Sequence, residues 1–153
     1  MSDQLYDGRT IRVLTIVDNF TRESLAAEAG RAFTGHAVAG TLGRIPRRRG
    51  NPKTIRVDNG PEFTSRALDQ WAYLNGVELD FSRPGKPTDN AFIESFNGRL
   101  RAECLDQHWF MSLADARDKL EAWRIDYNEA RPHSSLGNLA PGEFARSGQG
   151  TLA

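Results

Sequence analysis

The sequence predicts an α/β fold in which a mixed β-sheet is flanked by helices. Short apolar runs rich in β-branched residues alternate with segments of helical periodicity, and two long amphipathic segments come last. The 153 residues suffice for one ordinary domain. Hydrophobic residues make up 39% of the chain and charged residues 26%, so the composition excludes a disordered protein.

In the first half of the chain, the pattern predicts three strands and a helix. Residues 11–18 (IRVLTIVD) form an apolar run of high β-propensity, and residues 24–28 are placed to pair with it. Residues 34–49 have a helical pattern that two glycines and a proline weaken. Residues 54–57 (TIRV) form the third strand, and the polar turn DNGP follows it at once.

In the second half, the pattern predicts a helix, a strand and two further helices. Residues 62–75 have helical periodicity that ends at Gly76, and residues 77–81 (VELDF) alternate like a strand. An apolar stripe predicts a helix over residues 89–105, and a second stripe predicts another from about Leu113 to Tyr127. The segment after that has little periodicity, and we expect it to form an ordered arm.

Charge and cysteine content narrow the possible functions. The net charge is zero, but residues 1–57 carry ten basic and five acidic side chains, and residues 58–153 carry ten and fifteen. This asymmetry permits a nucleic-acid partner bound through one face, although an evenly solvated surface explains it equally well. The single cysteine, Cys104, excludes an internal disulfide and a multi-cysteine zinc site. The sequence has no long apolar run and no secretory leader, so we expect a cytoplasmic protein.

Two acidic residues are the candidates for chemistry. Asp58 follows a predicted buried strand, and open α/β sheets bind ligands at the carboxyl ends of their strands. Glu94 lies on a predicted helix, beside a small polar face. Taken singly, Asp58 is more readily an Asx-turn or capping residue, and Glu94 a solvated surface residue. Taken together, they can converge on a divalent cation, because hard cations prefer carboxylate oxygens.

Several motifs in this order and spacing resemble one family. They are DNGPEF, the 35 residues between Asp58 and Glu94, the helix ESFNGRLRAECL and the late segment YNEARPHSSLGNLAPGEF. Together they closely resemble the transposases of the IS-three insertion sequences, whose catalytic core is similar to that of retroviral integrases. The resemblance covers essentially the whole chain. It implies an RNase H-like fold, and DNA transposition and DNA integration as the function.

The resemblance also implies a DDE active site, in which two aspartates and a glutamate hold two magnesium ions, with manganese as a substitute. By motif position, Asp58 is the second acid and Glu94 the third, each a catalytic residue and metal ligand. Two metals about 3.5–4 Å apart activate water or a DNA 3′-hydroxyl and stabilise the leaving oxygen. The implied partners are transposon ends, target DNA and further copies of the chain in the active assembly.

The first acid of the family has no counterpart here. In the family it lies on the first strand, just upstream of the segment that matches SDQL. Asp3 and Asp7 lie on the wrong side of that position, and Asp18 ends the second strand. We therefore expect a truncated core over residues 1–128, without most of the first strand and with weak or absent catalysis, followed by a C-terminal arm over residues 129–153. The alternative is a non-catalytic DNA-binding or assembly fragment that modulates the full-length transposase.

Five residues are candidates for DNA contact: Arg83 and Lys86 in the loop SRPGKPTDN, and Asn97, Arg99 and Arg101 on the helix of Glu94. Arg101 shares the face of Glu94, and an intrahelical ion pair between these two is the alternative. Contacts of this kind bind phosphates, so we expect DNA affinity to be electrostatic and tolerant of sequence.

Overall fold

The computed structural model of the protein describes residues 1–45, 51–58, 60–81 and 91–147. The chain divides into two compact units. The first unit consists of residues 1–31 and 96–153, and the second consists of residues 32–95. No helix within the described ranges combines the length and apolar character that crossing a membrane requires.

Strands and helices alternate as the sequence predicts. The strands are β1 (Ser2–Gln4), β2 (Thr10–Val17), β3 (Ser24–Gly30), β4 (Thr54–Val57) and β5 (Glu78–Phe81). The α-helices are α1 (Gly35–Arg44), α2 (Arg66–Leu74), α3 (Ala91–Leu100), α4 (Leu113–Ala130) and α5 (Pro141–Arg146). A π-helical segment, Arg101–Leu105, continues α3, and a 3-10 turn, Ser134–Leu136, precedes α5. The α/β class is therefore confirmed.

The first unit contains an antiparallel sheet in the order β1-β2-β3. In its register Asp3 lies opposite Ile11 and Leu14 opposite Glu28, with an irregularity between Ile16 and Val17. Strand β1 is not predicted by the sequence pattern, because it is polar and only three residues long. Antiparallel pairing with the neighbouring apolar strand β2 forms it.

The second unit contains the parallel pair β4–β5, with Thr54 opposite Glu78 and Val57 opposite Phe81. Both strand directions of a mixed sheet are thus present in the chain, one in each unit. The helix predicted to begin at residue 62 begins at Arg66, because Ser65 is its N-cap and accepts a hydrogen bond from the backbone N–H of Leu68.

Helix α4 carries the aromatic core of the first unit. Tyr127 is almost fully buried, and its ring lies 5.2 Å from the rings of Phe96 on α3, Trp123 on α4 and His133 beyond α4. Cys104 is also buried, as expected of a core residue, and burial raises the pKa of its thiol to about 11.

The predicted arm has regular structure up to residue 147. His133 forms an isolated antiparallel bridge with Leu139, and α5 follows. With only six residues, α5 is too short to show helical periodicity in the sequence.

Glu103 ties the π-helical segment to the residue that follows α4. Arg131 donates to its two carboxylate oxygens at 3.0 and 2.5 Å, and Trp123 Nε1 donates at 3.3 Å. These hydrogen bonds, first of all those from Arg131, lower the pKa of Glu103.

Adding a methyl group at Gly35 is expected to destabilise the second unit. A Cβ there would lie 1.7 Å from Ser65 Oγ, so Gly35→Ala displaces the cap of α2 and should cost about 2–4 kcal/mol of unfolding free energy. Gly43→Ala, in the same helix but with open space around it, should stabilise by about 0.5–1 kcal/mol. Urea unfolding of both variants measures the difference, and equal midpoints would contradict the close contact.

The Glu103 network should make stability depend on acid pH. Folding lowers the pKa of Glu103, so its carboxylate stabilises the fold at every pH above the ordinary glutamate pKa near 4.5. This stabilisation is lost as the pH falls through the lower pKa of the folded state. The side chain is 35% exposed, so solvent screening limits the effect at pH 7 to about 1 kcal/mol.

Glu103→Gln should therefore lower the unfolding free energy at pH 7 and converge with the wild type in strong acid. Denaturant unfolding over a pH series tests this, with Asp118→Asn, an exposed carboxylate on α4, as the control. A pH profile in Glu103→Gln that is parallel to that of the wild type would show that the carboxylate contributes nothing through its charge.

Candidate active site

Asp58 stands directly after β4, at the carboxyl end of the strand, and is exposed to solvent. Its Oδ1 accepts a hydrogen bond from the backbone N–H of Gly60 at 2.7 Å, which closes an Asx-type turn. The turn role that the sequence offered as the simpler interpretation of Asp58 is therefore present. It uses one carboxylate oxygen, and Oδ2 makes no hydrogen bond to any described residue.

A second carboxylate approaches the same turn. A Cβ placed on Gly60 would lie 2.9 Å from Asp58 Oδ1 and 3.0 Å from Glu62 Oε2. The carboxylates of Asp58 and Glu62 thus flank the same face of the glycine, which keeps the space between them open. Glu62 was not among the residues predicted from the sequence; its spacing of four residues from Asp58 across a tight turn was the available signal.

Glu94 lies in the first turn of α3 and is exposed. It belongs, like Asp58, to the second unit. No group of three or more His, Cys, Asp or Glu side chains that could hold a metal ion occurs in the described portion of the chain. The assignment of Asp58 and Glu94 as ligands therefore stays a prediction from the motif.

The candidates for DNA contact have different surroundings. Asn97 Oδ1 accepts a hydrogen bond from Thr15 Oγ1 at 2.8 Å, which joins α3 to β2. Arg101 Nη2 donates to the backbone carbonyl of Ser2 at 2.8 Å, a partner that lies 99 residues away and that neither sequence interpretation named. Arg99 is exposed, and its guanidinium makes no hydrogen bond or ion pair with another described residue. Arg83 and Lys86 lie outside the described residues.

His133, in the segment RPHS, packs its ring edge-on against Tyr127 at 5.2 Å. Its Nε2 is buried without a hydrogen-bond partner among the residues described. Burial lowers the pKa of His133, and the positive charges of Arg99, Arg131 and Arg22 lower it further. The ring is therefore neutral at pH 7 and has a packing role in the arm.

Two family models, both described as integrase core domain, match the chain, one over residues 3–87 and the other over residues 75–141. The chain is 56% identical over 149 residues to the insertion element IS407 uncharacterized 31.7 kDa protein of Burkholderia multivorans, covering 97% of this chain and 54% of the relative. It is 50% identical over 143 residues to the insertion element IS476 uncharacterized 39.2 kDa protein of Xanthomonas euvesicatoria, covering 94% and 41%. The chain thus spans about half the length of the curated relatives it matches.

A more distant relative is named as a transposase, and a solved structure shows the fold. The transposase InsF for insertion sequence IS3A of Escherichia coli is 26% identical over 141 residues, covering 90% of this chain and 49% of the relative. The crystal structure of the catalytic core domain of BIV integrase superposes with a TM-score of 0.70 at 18% identity, covering 99% of this chain and 94% of that one. The fold is therefore RNase H-like, and the chain belongs to the integrase core domain family, among the cores of insertion-element transposases.

Proposed function

We propose that this chain is the part of a transposase that cuts DNA strands and joins them, with Asp58 and Glu94 as catalytic residues and metal ligands. The observation that carries the proposal is the turn after β4, where an exposed carboxylate stands at a strand end in a chain of the integrase core family. Its Oδ2 makes no hydrogen bond to a residue that the structure describes. In this proposal, residues 1–128 form the catalytic core and residues 129–153 the C-terminal arm.

The donor set at this turn fits magnesium. Carboxylate oxygens are the ligands that hard divalent cations prefer, and Gly60 leaves open the space that a Cβ would fill between Asp58 and Glu62. Asp58 and Glu94 would hold the cations, and Glu62 would add negative charge beside Asp58. Bound divalent cations would supply activation of a water or 3′-hydroxyl and stabilisation of the leaving oxygen.

The protein's own side chains then bind and orient the DNA. Arg99, five residues after Glu94, is exposed, and a guanidinium can hold two phosphate oxygens at once. Asn97 and Arg101 have further donors beyond the internal bonds described above, and both stay candidates for contact with DNA. Arg83 and Lys86 stay candidates from the sequence. The partners in this proposal are transposon ends, target DNA and further copies of the chain, and the place of action is the cytoplasm.

A second candidate function is a non-catalytic DNA-binding or assembly fragment that modulates a full-length transposase. The hydrogen bond from Gly60 to Asp58 favours it, because that bond gives the carboxylate a structural reason to be present without any metal. The variants below separate the two candidates, since they remove charge and keep the turn.

Neutralising either acid should abolish metal-dependent chemistry. Asp58→Asn keeps an acceptor oxygen for the N–H of Gly60, and Glu94→Gln keeps side-chain length, so both variants should fold. Each should lower the residual strand transfer of the chain in Mg²⁺ or Mn²⁺ at least about 100-fold, because changes even beyond the first ligand shell of metal sites cost about 10–100-fold. The substrate is duplex DNA carrying the ends of the parent element.

The matched control is Glu78→Gln, which removes an exposed carboxylate from β5 in the same unit. Its rate should equal that of the wild type. Equal residual rates in the wild type and in Asp58→Asn would instead favour the non-catalytic fragment.

Filling the space at Gly60 should impair metal binding without unfolding the protein. In Gly60→Ala the new Cβ displaces the ends of two flexible side chains, Asp58 and Glu62, rather than backbone. We expect thermal stability close to wild type and Mn²⁺ affinity, measured by isothermal titration calorimetry, lowered about 10-fold or more. Unchanged Mn²⁺ affinity would place the metal elsewhere. Gly98→Ala, with nothing within 4 Å of the added Cβ, is the control.

A further inference from the structure

Three elements of the first unit meet at the C-terminal end of α4. The start of β3, which follows the β2–β3 turn, is attached there through Ser24. The side-chain amide of Asn128 accepts from the Ser24 N–H at 2.7 Å and donates to the Ser24 carbonyl at 2.9 Å. Helix α3 is attached through the rings of Phe96 and Tyr127. The arm is attached through the rings of Tyr127 and His133. All three contacts fall within two neighbouring residues of α4.

Each of these elements contributes one arginine near its point of attachment. Arg22 stands two residues before Ser24, Arg99 stands three residues after Phe96, and Arg131 directly follows α4. The three residues come from distant parts of the sequence, so only the fold brings them to one region. Their charges act on the same two rings. Burial raises the pKa of Tyr127, and the three arginine charges oppose that increase. Burial lowers the pKa of His133, and the same three charges lower it further.

Arg22 occupies a backbone conformation that an arginine does not favour. Arg22 has a φ of 66°, in the left-handed region that glycine or asparagine adopts at lower cost than a residue with a long side chain. Non-glycine residues in this region are found preferentially at binding and catalytic sites. The conformation of Arg22 is therefore consistent with a binding role for its guanidinium.

From this arrangement we propose that Arg22, Arg99 and Arg131 form a binding site for the phosphates of a nucleic-acid backbone. The proposal rests on the proposed function, and it extends DNA contact from α3 to the β2–β3 turn and the start of the arm. Phosphate is the ligand class that suits several guanidinium groups around one region, since each guanidinium offers five donors in a planar fork.

The three arginines have different roles in this site. Arg131 is held by both oxygens of Glu103 and lies 4.0 Å from Asp126, so it contributes a fixed charge that is partly neutralised. Arg99 is exposed and presents its donors to solvent. Arg22, with five donors, can keep its contacts within the protein and still donate to a phosphate. Tyr127 and His133 are neutral, so they add no charge of either sign.

A structural role is the competing explanation, because cations at the C-terminal end of a helix stabilise its dipole. The two roles predict different salt dependences of the affinity for DNA. Each phosphate contact that is lost reduces the slope of log affinity against log salt by about 0.9 for duplex DNA, whereas a purely structural cation leaves that slope unchanged.

The experiment measures binding of the full chain to fluorescently labelled duplex DNA at a series of NaCl concentrations. Arg22→Gln and Arg99→Gln should each lower the slope by about 0.9, and the double variant by about 1.8, equally for unrelated DNA sequences. Arg9→Gln and Arg146→Gln are the controls, because these arginines are exposed in the same unit and paired with Asp7 and Glu129. Arg131 is left intact so that Glu103 keeps its partner.

The outcomes separate this site from the proposed function. Wild-type slopes in both variants, with DNA binding intact, would overturn the site and leave the function standing, and a loss of thermal stability alone would assign the arginines to the helix dipole. Failure of the wild-type chain to bind DNA at all would overturn both. Arginine-dependent binding of poly-glutamate as tight as that of DNA would assign the site to an acidic protein partner and overturn the nucleic-acid ligand.

Discussion

The attachment of α4 to β3 is the constraint on which the first unit depends. Arg117 donates to the backbone carbonyl of Ala29 at 3.0 Å, and Arg124 and Asn128 donate to that of Ser24 at 2.8 and 2.9 Å. The three donors are spaced seven and four residues apart, so they lie on one side of the helix. Because buried backbone carbonyls need partners, these side chains fix the position of α4 along the strand.

Helix α3, its π-helical continuation and the arm then pack on the helix. Tyr127 lies beside Asn128 on α4, and the rings of Phe96 on α3 and His133 in the arm pack against it. Glu103, in the π-helical continuation of α3, then receives Arg131 and secures the arm. The packing of apolar rings around Tyr127 brings the elements that carry Glu103 and Arg131 close together.

The turn after β4 is, by contrast, a local construction. Asp58 serves the turn with one oxygen, and the missing Cβ of Gly60 leaves room for a second carboxylate from Glu62. A structural and a chemical role are compatible there, because a carboxylate has two oxygens and the hydrogen bond from the described part of the turn occupies Oδ1. The motif resemblance, confirmed at the level of the family, predicts Asp58 and Glu94 as site residues but does not include Glu62, whose position beside Asp58 depends on how the turn closes.

The sequence by itself determined the order and type of most elements, because β-branched runs and apolar stripes express local preference and burial directly. It also determined the family, through motifs that are each short and contiguous in the chain. Tertiary structure alone decided that the polar residues of β1 form a strand, that Asn97 bonds to Thr15 and that Arg101 bonds to Ser2. These partners lie 82 and 99 residues apart. No local pattern encodes such pairs, since their geometry exists only after the sheet and helices have packed.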